Sequence, residues 1–543
     1  MGQATPPGIT VVYGYGSLLA VHLDAVAPPR KELRLALDRG AGRRYPLAQQ
    51  LADELRRRVQ VGSLGPGERL PAVRALAGNL GVTPETVATA YKRLTGEGYL
   101  RGEIGRGTFV AAPPLRAEED PLAPFEAAGA LPPFRTQVAS PSPPAHRDLL
   151  RLASHPGLVS FAASVAAPDL APVQELRRAL SEVLAADGPR ALQVGATEGY
   201  PPLRTAIAAL LTRRGVKADP ATVCITSGCQ QGIDLAAKVF VGPGDAVLVE
   251  QPSFLGALEA FRARGARTIG VPIEGDGLRV EGLPALIQRY QPKLLYCMPT
   301  YQNPTGRSLS QDKRRALLRL AATHDLPIVE DDSAGFFPLE GTAPPSLKAD
   351  DKAGYVIHLG TFSKLIAAGL RLGWLVAAPP VFEKLVAAKY ASDLSSDALV
   401  QRAAARLLVD GSLLEHIERG RRAYRQRRDV LVEALRQPRA LPPGATFDPP
   451  RGGFNLWLEL PEGGPTSTGL YLEAVRRGVA FVPGPFFFSA GSGAASSAAT
   501  RGLRLSYSAL PPAELARGVR LLSEALRALR AGGRAATAEP VVY

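Results

Sequence analysis

The stretch Val356-Ile-His-Leu-Gly-Thr-Phe-Ser-Lys364, followed by Gly369-Leu-Arg-Leu-Gly-Trp-Leu-Val-Ala377, decides the fold of the larger part of this chain. The apolar runs at 356–359 and 374–377 read as buried strands. Between them lie small hydroxyl residues, a lysine and an arginine. A lysine just beyond a strand end is well placed to attack a carbonyl carbon and form a Schiff base. Thr361 and Arg371 suit a phosphate, the guanidinium acting as a planar two-pronged donor. A lone lysine is by default a surface residue, so the reading depends on what else the sequence brings to the same edge.

Working outward, further short β-rich runs at 222–225, 246–250, 294–298 and 327–330 alternate with helical patterns from about 151 to 530. That alternation argues for an α/β fold with a mostly parallel sheet. Several run ends carry chemistry. Thr226-Ser-Gly-Cys-Gln-Gln-Gly232 turns from a strand into a helix, whose free N–H groups suit a phosphate. Glu250-Gln-Pro-Ser-Phe254 delivers a ring able to stack on a flat molecule, although such a ring is more often core. Asn303, in Tyr301-Gln-Asn-Pro-Thr-Gly306, can donate to a phenolic oxygen. Val329-Glu-Asp-Asp332 places carboxylates at a strand end, where one could keep a pyridine nitrogen protonated. Arg504, in Gly502-Leu-Arg-Leu-Ser506, can clamp a substrate carboxylate. Each signal alone is weak; together they converge on pyridoxal phosphate.

The first part of the chain reads differently. Leu47, Leu51, Leu55 and Val59 form one helical stripe. A second helix at 72–80 is closed by Gly81. Thr83 then caps a third, with Pro84 at its first position and Val87, Tyr91 and Leu94 on its apolar side. Two helices joined by a short glycine-containing turn are a helix-turn-helix. The segment from Gly98 to Val110 reads as two short strands around a glycine tip, a wing. A helical packing module that binds no DNA is the plain alternative, but a glycine wing has little purpose there.

The string from Gly65-Pro-Gly-Glu-Arg-Leu-Pro through Leu80-Gly-Val-Thr to Gly105-Arg-Gly-Thr-Phe-Val resembles the GntR-type winged helix. The resemblance implies that the second helix supports, that the third enters the major groove of DNA, and that the wing touches backbone. It points to Arg74, Thr83, Thr86, Lys92 and Arg106 as DNA contacts, with Pro84 standing where Arg or a polar residue is usual. The order of motifs over about 151–530 resembles fold-type I aminotransferases, and the whole chain is similar to MocR-type regulators. Carried over, Lys364 bonds the cofactor, Asp331 pairs with its pyridine nitrogen, Asn303 faces its ring oxygen and Phe254 stacks. Ser227, Gly228, Cys229, Thr361 and Arg371 hold phosphate, and Arg504 binds a carboxylate. The family forms head-to-tail dimers, and the resemblance implies a small amino compound as effector. Two departures bear on turnover: Ser333 and Val194 stand where the family has tyrosines. The rival reading is a working aminotransferase with a fused helix-turn-helix.

The expected domains are an arm at 1–44, partly disordered, a winged helix at 45–112, a linker at 113–150, the aminotransferase-like domain at 151–530 and a flexible tail at 531–543. The linker carries nine prolines, which favours extended polyproline geometry. Among 543 residues the net charge is +14, and residues 1–112 hold 15 basic and 9 acidic side chains. Such basicity permits a polyanionic partner without proving one. The arginine-rich run 419–428 reads as a solvated helix, with a second DNA-backbone contact as its other reading. Three cysteines exclude a disulfide framework and have no zinc-ligand spacing, so no metal is expected and a reducing, cytoplasmic setting is. No stretch suits a membrane span, which needs about 20 mostly apolar residues.

Overall fold

Leu51 and Leu55 from one helix, Leu76 and Leu80 from a second, and Val87 and Leu94 from a third meet in one small core. The helices are α1 (Leu47–Gln60), α2 (Val73–Leu80) and α3 (Pro84–Gly96). The computed structural model describes residues 46–60, 64, 67–103, 107–111, 155, 157–489 and 497–531. The chain divides into two compact units, Met1–Asp120 and Pro121–Tyr543. In the first, Gly81 ends α2 with its N–H bonded back to the Ala77 and Gly78 carbonyls. Thr83 caps α3, its hydroxyl accepting from the Thr86 N–H at 3.3 Å. Tyr91 donates to the Pro71 carbonyl at 2.9 Å, which ties α3 to the turn before α2. Strands β1 (Leu100–Glu103) and β2 (Gly107–Val110) pair antiparallel, Leu100 opposite Val110. The expected arm, the whole linker, the wing tip with Arg106, and the tail beyond 531 lie outside the described residues.

The second unit is built on an eight-stranded sheet. Its strands are β3 (Val223–Thr226), β4 (Ala246–Gln251), β5 (Arg267–Glu274), β6 (Gly277–Leu278), β7 (Leu294–Cys297), β8 (Ile328–Asp331), β9 (Val356–Thr361) and β10 (Gly373–Val376). They lie in the order β3-β10-β9-β8-β7-β4-β5-β6. Every residue of β3, β7, β8, β9 and β10 is buried. That is the signature of a sheet covered on both faces, and explains why these strands read as unbroken apolar runs. The sheet is mostly parallel, with β10 reversed against both neighbours. The reversal follows from the short connection Phe362–Leu372, because a parallel return needs a crossover of a dozen or more residues. The parallel strands β3, β4, β7, β8 and β9, which lead to Ser227, Phe254, Asn303, Asp331 and Lys364, all end on the same edge.

A second, antiparallel sheet was not legible as such: β11 (Thr446–Phe447), β12 (Asn455–Glu459), β13 (Val482–Pro483) and β14 (Gly502–Ser506), in the order β11-β12-β14-β13. Arg504 stands in its β14. The arginine-rich run falls in the helix Ser412–Arg436, as read, but only part of it is solvated: Arg419, Arg422 and Arg425 are exposed and the end of the run is not. Arg427 and Arg428 are buried. Arg427 bonds Asp169 at 2.6 and 2.8 Å, and Arg428 bonds Glu340 at 2.7 Å. Arg421 and Arg425 donate to the Pro338 and Leu339 carbonyls. Arginine was needed there because its long stem crosses an apolar surface while its fork satisfies buried acceptors.

Candidate functional site

Open α/β sheets bind ligands outside the carboxyl ends of their strands, and the described side chains converge there. At the end of β3, Gly228 takes a φ of +86° and caps the helix Cys229–Phe240. A Cβ on Gly228 would come within 3.1 Å of the Arg371 guanidinium, and one on Gly373 within 2.7 Å of the Gly228 Cα. Both positions therefore need glycine for the turn and the β9–β10 connection to approach. Arg371 donates to the Ser227 carbonyl at 2.9 Å and to Ser363 Oγ at 3.4 Å. Thr361 Oγ1 donates to Ser363 Oγ at 2.9 Å and accepts from the Ser363 N–H. The first-turn N–H groups of a helix lack intrahelical partners. Glycine, hydroxyls, helix end and guanidinium thus form a cradle for a small anion. The Ser227 N–H is already taken by Gln231 Oε1 at 2.8 Å, so Ser227 offers its hydroxyl rather than its backbone.

Asp331 ends β8 and is buried. Tyr296, from β7, donates to its Oδ2 at 3.0 Å, and the Ser333 N–H to its Oδ1 at 3.1 Å. Burial pushes the carboxyl up, opposed by the bonds from Ser333, Tyr296 and Cys229. Cys229 therefore serves the aspartate as well as the helix end. Phe254 precedes the helix Leu255–Ala263, and its ring lies against Gly256 beside Gln230.

Lys364 stands in the one-turn helix Phe362–Leu365, its ammonium on the Ser164 carbonyl and 5.1 Å from the centroid of the Phe454 ring. Burial and the Arg504 cation hold its amine down to about 8. Arg504 donates to Asn303 Oδ1 at 3.0 Å and to the Ala162 carbonyl. Burial lowers its guanidinium to about 10, and its Nε is buried without a partner. An unpaired buried donor is costly unless a ligand meets it.

The structure brings Ser227, Gly228, Thr361 and Arg371 to one cradle, Cys229 to Asp331, and Asn303 to Arg504. Sequence reasoning missed Tyr296, although it is the one polar-tipped side chain in its apolar run. It also missed Gln231, which nothing in the local pattern marks. Of the two departures, Ser333 leans on Asp331, and Val194 is 79 % exposed.

In the first unit Arg74, Thr83 and Lys92 are exposed and Thr86 is half-buried. The Thr83 and Thr86 hydroxyls bond each other at 2.9 Å, so the cap engages both.

Residues 161–522 match the family of class I and II aminotransferases, and residues 47–110 match the gntR family of bacterial regulatory proteins. The 2-aminoadipate transaminase of Thermus thermophilus is 40 % identical over 71 % of this chain and 94 % of its own length. The probable rhizopine catabolism regulatory protein MocR of Rhizobium meliloti is 30 % identical over 92 % of this chain and 97 % of its own. The crystal structure of the Thermus thermophilus α-aminoadipate aminotransferase LysN, complexed with N-(5'-phosphopyridoxyl)-L-leucine, superposes with a TM-score of 0.65. It is 38 % identical and covers 71 % of this chain and 95 % of the LysN chain.

Proposed function

Because the chain belongs to the class I and II aminotransferase family and carries a gntR-family head, we propose that it is a DNA-binding transcriptional regulator controlled through a pyridoxal phosphate site. The observation that carries this reading is the likeness to MocR over 92 % of the chain, head included. The residues fit the cofactor: glycine at 228 lets the Arg371 guanidinium close on the turn at the helix end, Asp331 is a buried carboxyl, and the Lys364 amine is held down to about 8. When bound, pyridoxal phosphate supplies an electron sink. Ser227, Gly228, Cys229, Thr361 and Arg371 would hold its phosphate, Asp331 its pyridine nitrogen, Asn303 its ring oxygen, Phe254 its face and Lys364 its aldehyde. Arg504, with its unpartnered Nε, would take the carboxylate of a small amino compound.

Exposed apolar side chains support a second copy of the chain as partner: Leu192 and Val194 in one segment, Tyr390 and Leu394 in another. A head-to-tail dimer would present two heads to DNA, in the cytoplasm. Among the described residues no helix is long and apolar enough to cross a membrane.

The likeness to 2-aminoadipate transaminase favours a second reading, a working aminotransferase. The absence of phenols at 333 and 194 weighs against it. Two experiments decide: genome-wide mapping of bound DNA with and without added amino compounds, and turnover of an amino donor with a 2-oxo acid. Discrete bound sites without enzyme-like turnover are the expected pair; turnover at 1–1000 per second without DNA binding would establish the rival.

Two further outcomes are expected. Lys92→Ala removes an exposed cation from α3, so binding should weaken on all sequences and the log–log salt slope should fall by about one. An unchanged slope in fluorescence titrations removes Lys92 from the contacts. For Lys364, only the neutral amine is a nucleophile. With its proton lost at about 8, covalent capture of pyridoxal phosphate by cofactor-free protein should speed up with pH to about 8 and level off above it. An ordinary lysine, near 10.4, would still be climbing there. Stopped-flow rates that rise without a plateau to pH 10 contradict the assignment.

A further inference from the structure

Lys389 belongs to the helix Pro379–Asp393, and its side chain is wholly buried. Its ammonium donates to both carboxylate oxygens of Asp393 at 2.8 and 2.9 Å, to Ser396 Oγ at 3.1 Å and to Gln231 Oε1 at 3.4 Å. A buried ion pair is weak evidence of stabilisation, because apolar residues of similar volume usually serve as well or better. What the lysine does accomplish is orientation. Gln231 Nε2 donates to Asp393 Oδ2 at 2.7 Å, so its Oε1 must face Lys389 and the Ser227 N–H, which it accepts at 2.8 Å. The Ser227 carbonyl in turn takes Arg371 Nη2 at 2.9 Å. A second branch runs through Ser396, whose hydroxyl donates to the Ile225 carbonyl at 3.4 Å. The turn from Ile225 to Gly228 is therefore held from beneath at two points, and both lead back to one ammonium.

We infer that Lys389 is a positioning residue for the anion cradle, acting through Gln231 and Ser227 on the Gly228 turn and on Arg371. The inference rests on assigning that cradle to the phosphate of pyridoxal phosphate. A mere clamp between the helices Cys229–Phe240 and Pro379–Asp393 would lower stability and weaken every ligand alike. A positioning role acts on the phosphate alone.

The test compares dissociation constants for pyridoxal phosphate and for pyridoxal, which lacks the phosphate. The full-length proteins are wild type, Arg371→Ala, Lys389→Met, Gln231→Leu and the Lys389→Met/Gln231→Leu double variant. Wild type should prefer the phosphorylated ligand, and Arg371→Ala should lose much of that preference. If wild type shows none, the cradle assignment fails. With the assignment standing, Lys389→Met should weaken pyridoxal phosphate by about tenfold, the worth of one well-aimed charge-assisted hydrogen bond, and leave pyridoxal unchanged. Gln231→Leu, which breaks one of the two branches, should weaken pyridoxal phosphate by no more than that and also leave pyridoxal unchanged. The double variant should be no worse than Lys389→Met alone, since loss of the lysine already breaks both branches. Equal weakening of both ligands, or none, overturns the inference. Should Lys389→Met not fold, Lys389→Met/Asp393→Leu, which buries no lone charge, is read by the same criteria.

Discussion

Lys364→Ala is expected to fold and to lose covalent cofactor completely. The side chain spans from the one-turn helix Phe362–Leu365 to the Ser164 carbonyl and the Phe454 ring, so its removal deletes contacts without emptying a core position. Burial already works against its charged form. Stability should therefore change by only about 1–2 kcal/mol. Pyridoxal phosphate would still enter, held by the Arg371 cradle and Asp331, but as a dissociable ligand. The visible absorbance of the bonded cofactor should vanish. Borohydride reduction followed by peptide mass analysis should label the Lys364 peptide in wild type and nothing in the variant. A reduced adduct on any lysine of the variant would show that a different amine does the bonding.

The largest stability effect is expected from Asp332→Ala. Asp332 receives two bonds from buried Arg214, Nε to Oδ2 at 2.8 Å and Nη2 to Oδ1 at 3.0 Å. Arg214 also reaches the Pro344 carbonyl. Both ions are out of water, with side chains 2 % and 0 % exposed. Removing the carboxylate strands a guanidinium that cannot shed its proton, at a cost of about 3–5 kcal/mol. For a unit of this size that lowers the melting temperature by about 5 °C. Because Asp332 follows Asp331 directly, binding should suffer as well. Replacing both partners, as Arg214→Met/Asp332→Leu, should recover most of the loss; a melting point as low as that of Asp332→Ala would mean that the charge imbalance is not the cause.

The legible part of this protein is the part written locally. Lys364, Asp331 and Asn303 each sit at the end of an apolar run, and the strand that aims them is spelled out beside them. The parallel sheet followed from the same runs, with ends misplaced by a residue or two because a buried strand has no polar boundary to mark it. What stayed hidden needs a partner far away in the chain. Arg214 meets Asp332 across 118 positions, and Lys389 meets Gln231 across 158. Nothing near Lys389 distinguishes it from the exposed lysines of any helix. The arginine run misled for the related reason that burial depends on what packs above a helix, here the segment around Pro338, Leu339 and Glu340.

The reversed strand β10 has a consequence for how this site can fail. Lys364 and Arg371 stand on one connection, whose two ends are zipped together by Thr361 opposite Gly373 and Gly360 opposite Trp374. The spacing between Lys364 and Arg371, the proposed covalent anchor and phosphate grip, is thus set within a single loop, like the jaws of one tool. Asp331, Asn303 and Arg504 come from other strands, and their aim depends on the whole body of the unit. Damage to those other strands would spoil their aim while leaving the spacing of Lys364 and Arg371 intact. On the proposed reading, such damage would leave a protein that keeps the cofactor without turning it over, and a protein of that kind is a receptor.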